Sequence, residues 1–225
     1  MQSVLVSRHG LRRGLRLGQA AGEWAKRFTR KAARGQTLTR SLGLGLALAL
    51  LPAASPATSA GGDFELTDQN GEPWSTQSAR GQVVLLSFGY TFCPDICPTT
   101  LATINAALKQ LGDDAERVQP VFISLDPERD TPERLHEYVK WFNPRLIGLT
   151  GSAETLRQVA DRYRVRYARV QTDGSDYYTL DHSASLYLLD RNGELARMLP
   201  HGLPVDALVH AIAQLLHEGD PPSSQ

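Results

Sequence analysis

The chain has 225 residues with 24 basic and 24 acidic side chains, a length and balance typical of a globular protein. The charges are unevenly distributed: residues 1–40 hold ten Lys or Arg and a single acid, Glu23, which leaves 14 basic and 23 acidic groups elsewhere. Because the folded part is acidic, its composition excludes a phosphate-binding surface, and we expect no nucleic-acid partner.

The basic leader is followed by the apolar run LGLGLALALL at 42–51 and by small residues up to Ala60, the three regions of a secretory signal peptide. This run is too short to span a bilayer, which needs about 20 residues. We interpret residues 1–60 as a leader and signal peptide, so the rest is periplasmic or attached to the outer face of a bacterial inner membrane. Two alternatives remain open: a mitochondrial transit peptide leading to the intermembrane space, and an uncleaved anchor.

Strand and helix patterns alternate after the leader. The predicted elements are a hairpin around Asn70-Gly71, a strand at 83–90 buried on both faces, a helix from after Pro98 to before Gly112, a strand at 118–125, a helix at 131–142, a strand at 146–149, a helix at 152–163, a strand pair at 185–199 and a final helix from Pro204 to about His217. This order predicts an α/β fold in which helices flank a central sheet in three layers. The predicted domain covers residues 61–218, and residues 219–225 form a flexible tail.

The only two cysteines, Cys93 and Cys97, follow the first buried strand, and open α/β sheets place their sites at such strand ends. A structural disulfide is the simplest interpretation in an exported protein, but a bridge across so short a loop stabilises little. Cys97 precedes Pro98, so its sulfur should lie at a helix N-terminus, where the helix dipole favours a thiolate. Cys93 lies four residues earlier and should face the same way. Both sulfurs can therefore reach each other or one metal ion.

A metal site needs a further ligand, and His182 is the best candidate because it comes just before a predicted buried strand. The other histidines lie in the leader, in predicted helices or in a loop: His9, His136, His201, His210 and His217. Two sulfurs and one imidazole form a ligand set suited to copper. A strand-end turn and a helix cap account for the nearby acids Asp126 and Asp130.

Three segments, FGYTFCPDICPTTL, SLDPERDTPERL and DHSASLYLLD, resemble the Sco/SenC family of copper-binding proteins, over about Asp63 to Leu216. The resemblance implies a thioredoxin-like fold with a central mixed sheet, in which Cys93, Cys97 and His182 bind Cu(I) or Cu(II). It also implies a metallochaperone that delivers copper to the Cu-A site of cytochrome c oxidase subunit II, or maintains the thiols of that site. Further expected partners are an extracytoplasmic thiol reductase, since the cysteines must be reduced before loading, and another copper chaperone.

The residues alone leave rival functions open. A thiol–disulfide oxidoreductase would use Cys93 as the attacking thiolate and Cys97 as the resolving thiol. A peroxiredoxin shares the fold and oxidises a thiolate after a similar strand. A redox or copper sensor would act through a partner. We expect a chaperone rather than an enzyme, with the oxidoreductase as the main alternative.

Overall fold

The computed structural model describes residues 60–171 and 177–218, which belong to a compact unit spanning residues 55–225. The interpretation of residues 1–60 as a leader, apart from Ala60, and of 219–225 as a tail falls outside these described residues. Within them, none of the helices has the length and apolar character needed to cross a membrane.

Nine strands and four α-helices are found in the described part of the chain. The strands are β1 (Glu65–Asp68), β2 (Pro73–Ser75), β3 (Val83–Gly89), β4 (Val118–Ser124), β5 (Ile147–Thr150), β6 (Tyr167–Gln171), β7 (Tyr178–His182), β8 (Leu186–Leu189) and β9 (Leu195–Leu199). The helices are α1 (Ile96–Leu111), α2 (Pro132–Val139), α3 (Ala153–Arg162) and α4 (Val205–His217). This alternation agrees with the predicted α/β class.

The main sheet has seven strands in the order β2-β1-β5-β4-β3-β8-β9. Strands β3, β4 and β5 are parallel, whereas β8 runs antiparallel to β3 and β1 runs antiparallel to β5. The sheet is therefore mixed, as expected. Strand β3, which leads into the cysteines, lies between β4 and β8, while β6 and β7 form a separate two-stranded sheet.

Helices cover both faces of the main sheet. On one face, Phe122 of β4 contacts Tyr138 of α2, and Gly89 of β3 lies against Cys97 of α1. On the other face, Phe88 contacts Tyr163 at the end of α3. Because every residue of β3 is buried, its sequence is a continuous apolar run rather than an alternating one. The predicted three-layer arrangement is confirmed.

Local differences from the predicted elements have physical causes. The hairpin is confirmed, with Gly71 at a φ of +84° in its turn, a conformation that glycine adopts without strain. Helix α1 begins at Ile96, two residues before Pro98, because proline is accommodated in a first helical turn. Helix α2 ends at Val139 rather than near residue 142. The β6–β7 pair was absent from the sequence prediction.

Candidate metal centre

The cysteine-bearing segment connects the end of β3 to the start of α1. Cys97 is the second residue of α1 and only 3% exposed. Its sulfur lies so close to the end of β3 that a Cβ added at Gly89 would be 2.5 Å from Cys97 Sγ and 2.9 Å from the ring of Phe122. A side chain at position 89 would therefore occupy the space that the thiol needs.

Cys93 precedes α1 and is partly buried. Its backbone N–H donates to the carbonyl of Tyr90 over 3.2 Å, and its Sγ accepts from the backbone N–H of Cys97 at 3.5 Å. The prediction that both cysteines face the same way is confirmed, although Cys93 lies outside the helix. Its sulfur thus accepts from one of the backbone N–H groups that have no intrahelical partner in the first turn of α1.

The position of Cys97 has two opposing electrostatic effects. The helix N-terminus favours a thiolate, as predicted, but burial is the larger effect and raises the pKa of the Cys97 thiol above its ordinary value. A hydrogen bond with the backbone of Tyr90 offsets part of this increase. The predicted place of Cys97 at a helix N-terminus is confirmed, while its burial opposes the thiolate that this place favours. A bound cation would supply the missing stabilisation of the anion.

His182 is the last residue of β7 and is oriented by its own backbone neighbour. Its Nδ1 lies 2.9 Å from the carbonyl oxygen of Ser183, which can only accept, so Nδ1 carries the proton. In the neutral ring, Nε2 is then the nitrogen that carries the lone pair, and it lies 3.6 Å from Cys97 Sγ. The edge-to-face contact with Tyr90, at 6.0 Å between ring centroids, further restricts the imidazole.

The three predicted residues come together although His182 is 85 positions from Cys97. The ligand atoms of Cys93, Cys97 and His182 all lie within 4.8 Å of one another. Among the described residues, no other three His, Cys, Asp or Glu side chains form such a group. Two sulfurs and a neutral imidazole nitrogen fit a soft, thiophilic metal ion such as copper.

The described histidines outside this group are all exposed. His136 lies on α2, His210 and His217 lie on α4, and His201 contacts Thr100 Oγ1 through Nδ1 at 3.2 Å. As predicted, none of them joins the cysteines. His201 lies near the candidate centre without being part of it, because its partner Thr100 also lines the small cavity beside Cys97 and His182. It can therefore be compared with His182 as a nearby imidazole that is not a candidate ligand.

Two acids behind the cysteine segment have roles that the sequence did not indicate. Asp130 is fully buried and accepts from the Thr91 backbone N–H at 2.9 Å, from Thr91 Oγ1 at 2.6 Å and from Ser124 Oγ at 2.6 Å. Asp130 was predicted to cap α2, but the cap is Thr131, whose side chain accepts from the backbone N–H of Arg134. The reason is the tertiary fold, which directs Asp130 inward to hold the start of the cysteine segment.

Asp126 is also buried, at 3% exposed, and its side chain has partners in β7 and in the turn that follows β4. It accepts from Tyr178 Oη at 2.7 Å and from Arg129 Nε at 2.5 Å. Arg129 Nη1 in turn donates to the Tyr178 carbonyl at 2.9 Å. The strand-end turn foreseen for Asp126 is present, since its carbonyl accepts from the N–H groups of Arg129 and Asp130. Its contacts with β7 could not be foreseen while that strand was missing from the prediction.

Together, the mixed sheet, the flanking helices and a cysteine pair between strand and helix define a thioredoxin-like protein with a candidate metal centre. The model of the SCO1/SenC family matches residues 52–217. The chain therefore belongs to the SCO1/SenC family, as the sequence motifs predicted.

Individual relatives agree with this assignment. A SCO2-like protein of Rickettsia conorii is 48% identical over 135 residues, which cover 60% of this chain and 66% of the relative. The mitochondrial SCO1 homolog 1 of Arabidopsis thaliana is 40% identical over 159 residues, or 70% of this chain and 47% of the relative. The chain thus spans just under two thirds of the Rickettsia protein and about half of the plant protein.

Solved structures have the same fold. Bradyrhizobium japonicum ScoI with copper bound is 40% identical, with a TM-score of 0.65, and the match covers 70% of this chain and all of that one. BsSco, described as a member of the Sco family of cytochrome c oxidase assembly proteins with a disulfide switch, is 25% identical with a TM-score of 0.57, covering 72% of this chain and 95% of that one.

Proposed function

We propose that the protein is a copper metallochaperone that holds its cargo with Cys93, Cys97 and His182. The observation that carries this proposal is the convergence of their three ligand atoms within 4.8 Å, from segments far apart in sequence. The copper-bound state of the related ScoI protein supports copper as the cargo. The chemistry agrees, because thiolates select Cu(I) and imidazole suits copper in either oxidation state.

Each ligand has a distinct part in this proposal. Cys97 is the fixed, buried ligand, and Cys93 is the more accessible one, through which copper can be exchanged with a partner. The Ser183 carbonyl keeps the proton on Nδ1 of His182, so Nε2 can bind metal without first losing a proton. The two thiols release protons on binding, so copper affinity should increase with pH.

The recipient in this proposal is subunit II of cytochrome c oxidase, through delivery of copper to its Cu-A site or maintenance of the thiols there. The association of BsSco with cytochrome c oxidase assembly supports it. An extracytoplasmic thiol reductase and a second copper chaperone complete the proposed partners, because reduced cysteines and a copper source are both needed. The leader pattern and the mitochondrial relative support a location outside the cytosol, either periplasmic or in the intermembrane space.

A thiol–disulfide oxidoreductase is the second candidate function, and the unequal exposure of the cysteines favours it. Cys93 is partly exposed and Cys97 is buried beside it, the arrangement expected of an attacking and a resolving thiol. The disulfide switch of BsSco supports redox activity of such a pair. Copper binding and disulfide exchange would then compete for the same two sulfurs.

Copper titration of the reduced full-length protein tests both functions. Wild type should bind one copper ion per chain; Cys93→Ser should weaken binding of both Cu(I) and Cu(II), and His182→Ala should weaken Cu(II) binding, each by about tenfold or more. The matched control is His201→Ala, which removes a nearby exposed imidazole and should leave affinity unchanged. Rapid disulfide exchange with no measurable copper binding would instead favour the oxidoreductase. Equal effects of His182→Ala and His201→Ala would reject His182 as a ligand.

A further inference from the structure

Five planar side chains form a continuous series of contacts beside the candidate metal centre. The guanidinium carbons of Arg169 and Arg129 each lie 3.6 Å from the ring centroid of Tyr178. Arg129 is also 4.8 Å from the ring centroid of Phe92, and Arg134 is 4.9 Å from the same ring. We call this series, Arg169-Tyr178-Arg129-Phe92-Arg134, the Arg–aromatic ladder. Cations over aromatic faces attract the rings electrostatically.

The ladder connects the two parts of the metal centre, which share no backbone pairing. Phe92 is directly before Cys93, and Tyr178 is the first residue of β7, the strand that ends at His182. Among the strands of the described residues, β7 pairs with β6 alone, outside the main sheet. Arg129 is the one member that contacts both Phe92 and Tyr178. The position of Arg129 is therefore coupled to the cysteine segment and to the histidine strand.

Hydrogen bonds fix the orientation of Arg129 within the ladder. Its Nε donates to the buried carboxylate of Asp126, and its Nη1 donates to the carbonyl of Tyr178. The Tyr178 hydroxyl also donates to Asp126, which makes a closed triangle of contacts. A planar guanidinium can form these bonds and lie against both rings at the same time, whereas a lysine ammonium cannot.

We propose that Arg129 is a positioning residue that sets the distance between His182 and the two cysteines. This inference rests on the proposed function, in which these three residues bind copper. It predicts an effect that depends on the oxidation state of the metal. Two thiolates alone can retain soft Cu(I), while Cu(II) depends more on the imidazole. Displacing β7 should thus weaken Cu(II) binding selectively.

Arg129→Lys is the main test, because lysine keeps a cation near Asp126 and loses only the planar fork. Cu(II) affinity should fall by about tenfold, with a changed sulfur-to-copper absorption band, whereas Cu(I) affinity should fall by less than about threefold. In the metal-free reduced protein, the imidazole NMR resonances of His182 should shift or broaden. Phe92→Leu is a second test, in case the Arg129 variant misfolds. It removes the ring between Arg129 and Arg134, and because Phe92 is exposed the change should leave the fold intact. It should reproduce the Cu(II) effect in a weaker form.

The matched control is Arg145→Lys. Arg145 also uses its planar guanidinium for several hydrogen bonds, to the carbonyls of Ala115 and Val118, but these lie at the start of β4, at the end of the sheet opposite the cysteines. Cu(II) affinity and spectrum should stay at the wild-type values. A parallel loss of Cu(I) and Cu(II) affinity in Arg129→Lys, or an effect no larger than that of Arg145→Lys, would overturn the positioning role. Failure of wild type itself to bind copper would reject the proposed function instead.

Discussion

The two halves of the candidate metal centre are held in place in different ways. The cysteines lie between a central strand and a helix, where β3 is buried along its whole length and Cys97 packs against Gly89. His182 lies on a two-stranded sheet whose first strand, β6, is exposed along four of its five residues. The cysteine half is thus part of the hydrophobic core. The histidine half reaches the core through two buried residues of β7, Tyr178 and Leu180, and through the bonds of Tyr178 with Asp126 and Arg129.

This difference has a functional consequence. A buried thiol in a packed core cannot move far without a cost in stability, because cores are close-packed and resist changes of volume. A two-stranded sheet with one mostly exposed strand has fewer packing contacts and can shift at a lower cost. In the proposed chaperone, the cysteine half would retain the metal, and the histidine half could loosen as the metal is passed on.

The largest effect is expected from Gly89→Ala in the cysteine half. The new Cβ would be 2.5 Å from Cys97 Sγ and 2.9 Å from the Phe122 ring, so the helix or the ring must move. Overpacking of this kind costs about 3 kcal/mol of unfolding free energy, and the displaced thiol should weaken Cu(I) binding as well. Urea unfolding and a Cu(I) competition assay measure the two effects.

Gly151→Ala provides the control for Gly89→Ala. Its new Cβ would meet the end of the flexible Leu66 side chain at 3.0 Å and Leu156 Cγ at 4.0 Å, and neither contact involves the thiols. The control should retain wild-type copper affinity. If Gly89→Ala also retained it, the cysteine half would be more adaptable than its packing indicates, and the contrast between the two halves would disappear.

The same contrast explains how much of the site could be predicted from the sequence. The cysteine half leaves clear local signals: a buried apolar run, a Cys pair, and Pro98 in a first helical turn. Strand β6 has the sequence YARVQ, in which only Ala168 and Val170 share an apolar face, and both are exposed. Two small or medium apolar residues in so short a run are too weak a signal to predict a strand. One signal was available, Asp173-Gly174 between Val170 and Tyr177, a dipeptide typical of hairpin turns.

The buried acids were harder to predict, because their partners are distant in sequence. Asp126 contacts Tyr178, 52 positions away, and Asp130 contacts Thr91, 39 positions away. Local patterns such as turns and helix caps explain an aspartate before a helix equally well. His182 was predicted from its position before a buried strand, from the need for a third ligand and from the family resemblance of DHSASLYLLD. The hydrogen bond from Nδ1 to Ser183 depends on backbone geometry that no spacing rule contains.

The second prediction concerns Asp130, which anchors the cysteine half at Thr91. Asp130→Asn should destabilise the fold by about 2 kcal/mol near pH 4. The Asp130 oxygens accept three buried hydrogen bonds, and the amide nitrogen of asparagine cannot accept in place of one of those oxygens. Burial raises the pKa of the Asp130 carboxyl above its usual value. The folded state therefore favours the protonated form. The stability that this group contributes is present below the unfolded pKa and is lost as pH rises through the folded pKa.

Asparagine does not titrate, so the difference in unfolding free energy between wild type and Asp130→Asn should narrow from about pH 4 towards neutral pH. Urea unfolding at several pH values measures this trend. The exposed Asp161 on α3 provides the control, because Asp161→Asn should change stability by less than about 0.5 kcal/mol. A difference that widens with pH would mean that the three donors stabilise the carboxylate more than burial disfavours it.

The smallest effect is expected from Tyr178→Phe in the histidine half, which removes the hydroxyl bound to Asp126 and keeps the ring against Arg129. Losing one hydrogen bond while Asp126 still pairs with Arg129 should cost about 1 kcal/mol. Cu(II) affinity should change less than in Arg129→Lys, because the ladder remains. Thermal unfolding and Cu(II) titration of both variants make the comparison. If Tyr178→Phe weakened Cu(II) binding as much as Arg129→Lys, the hydroxyl–carboxylate bond rather than the ladder would fix the histidine strand.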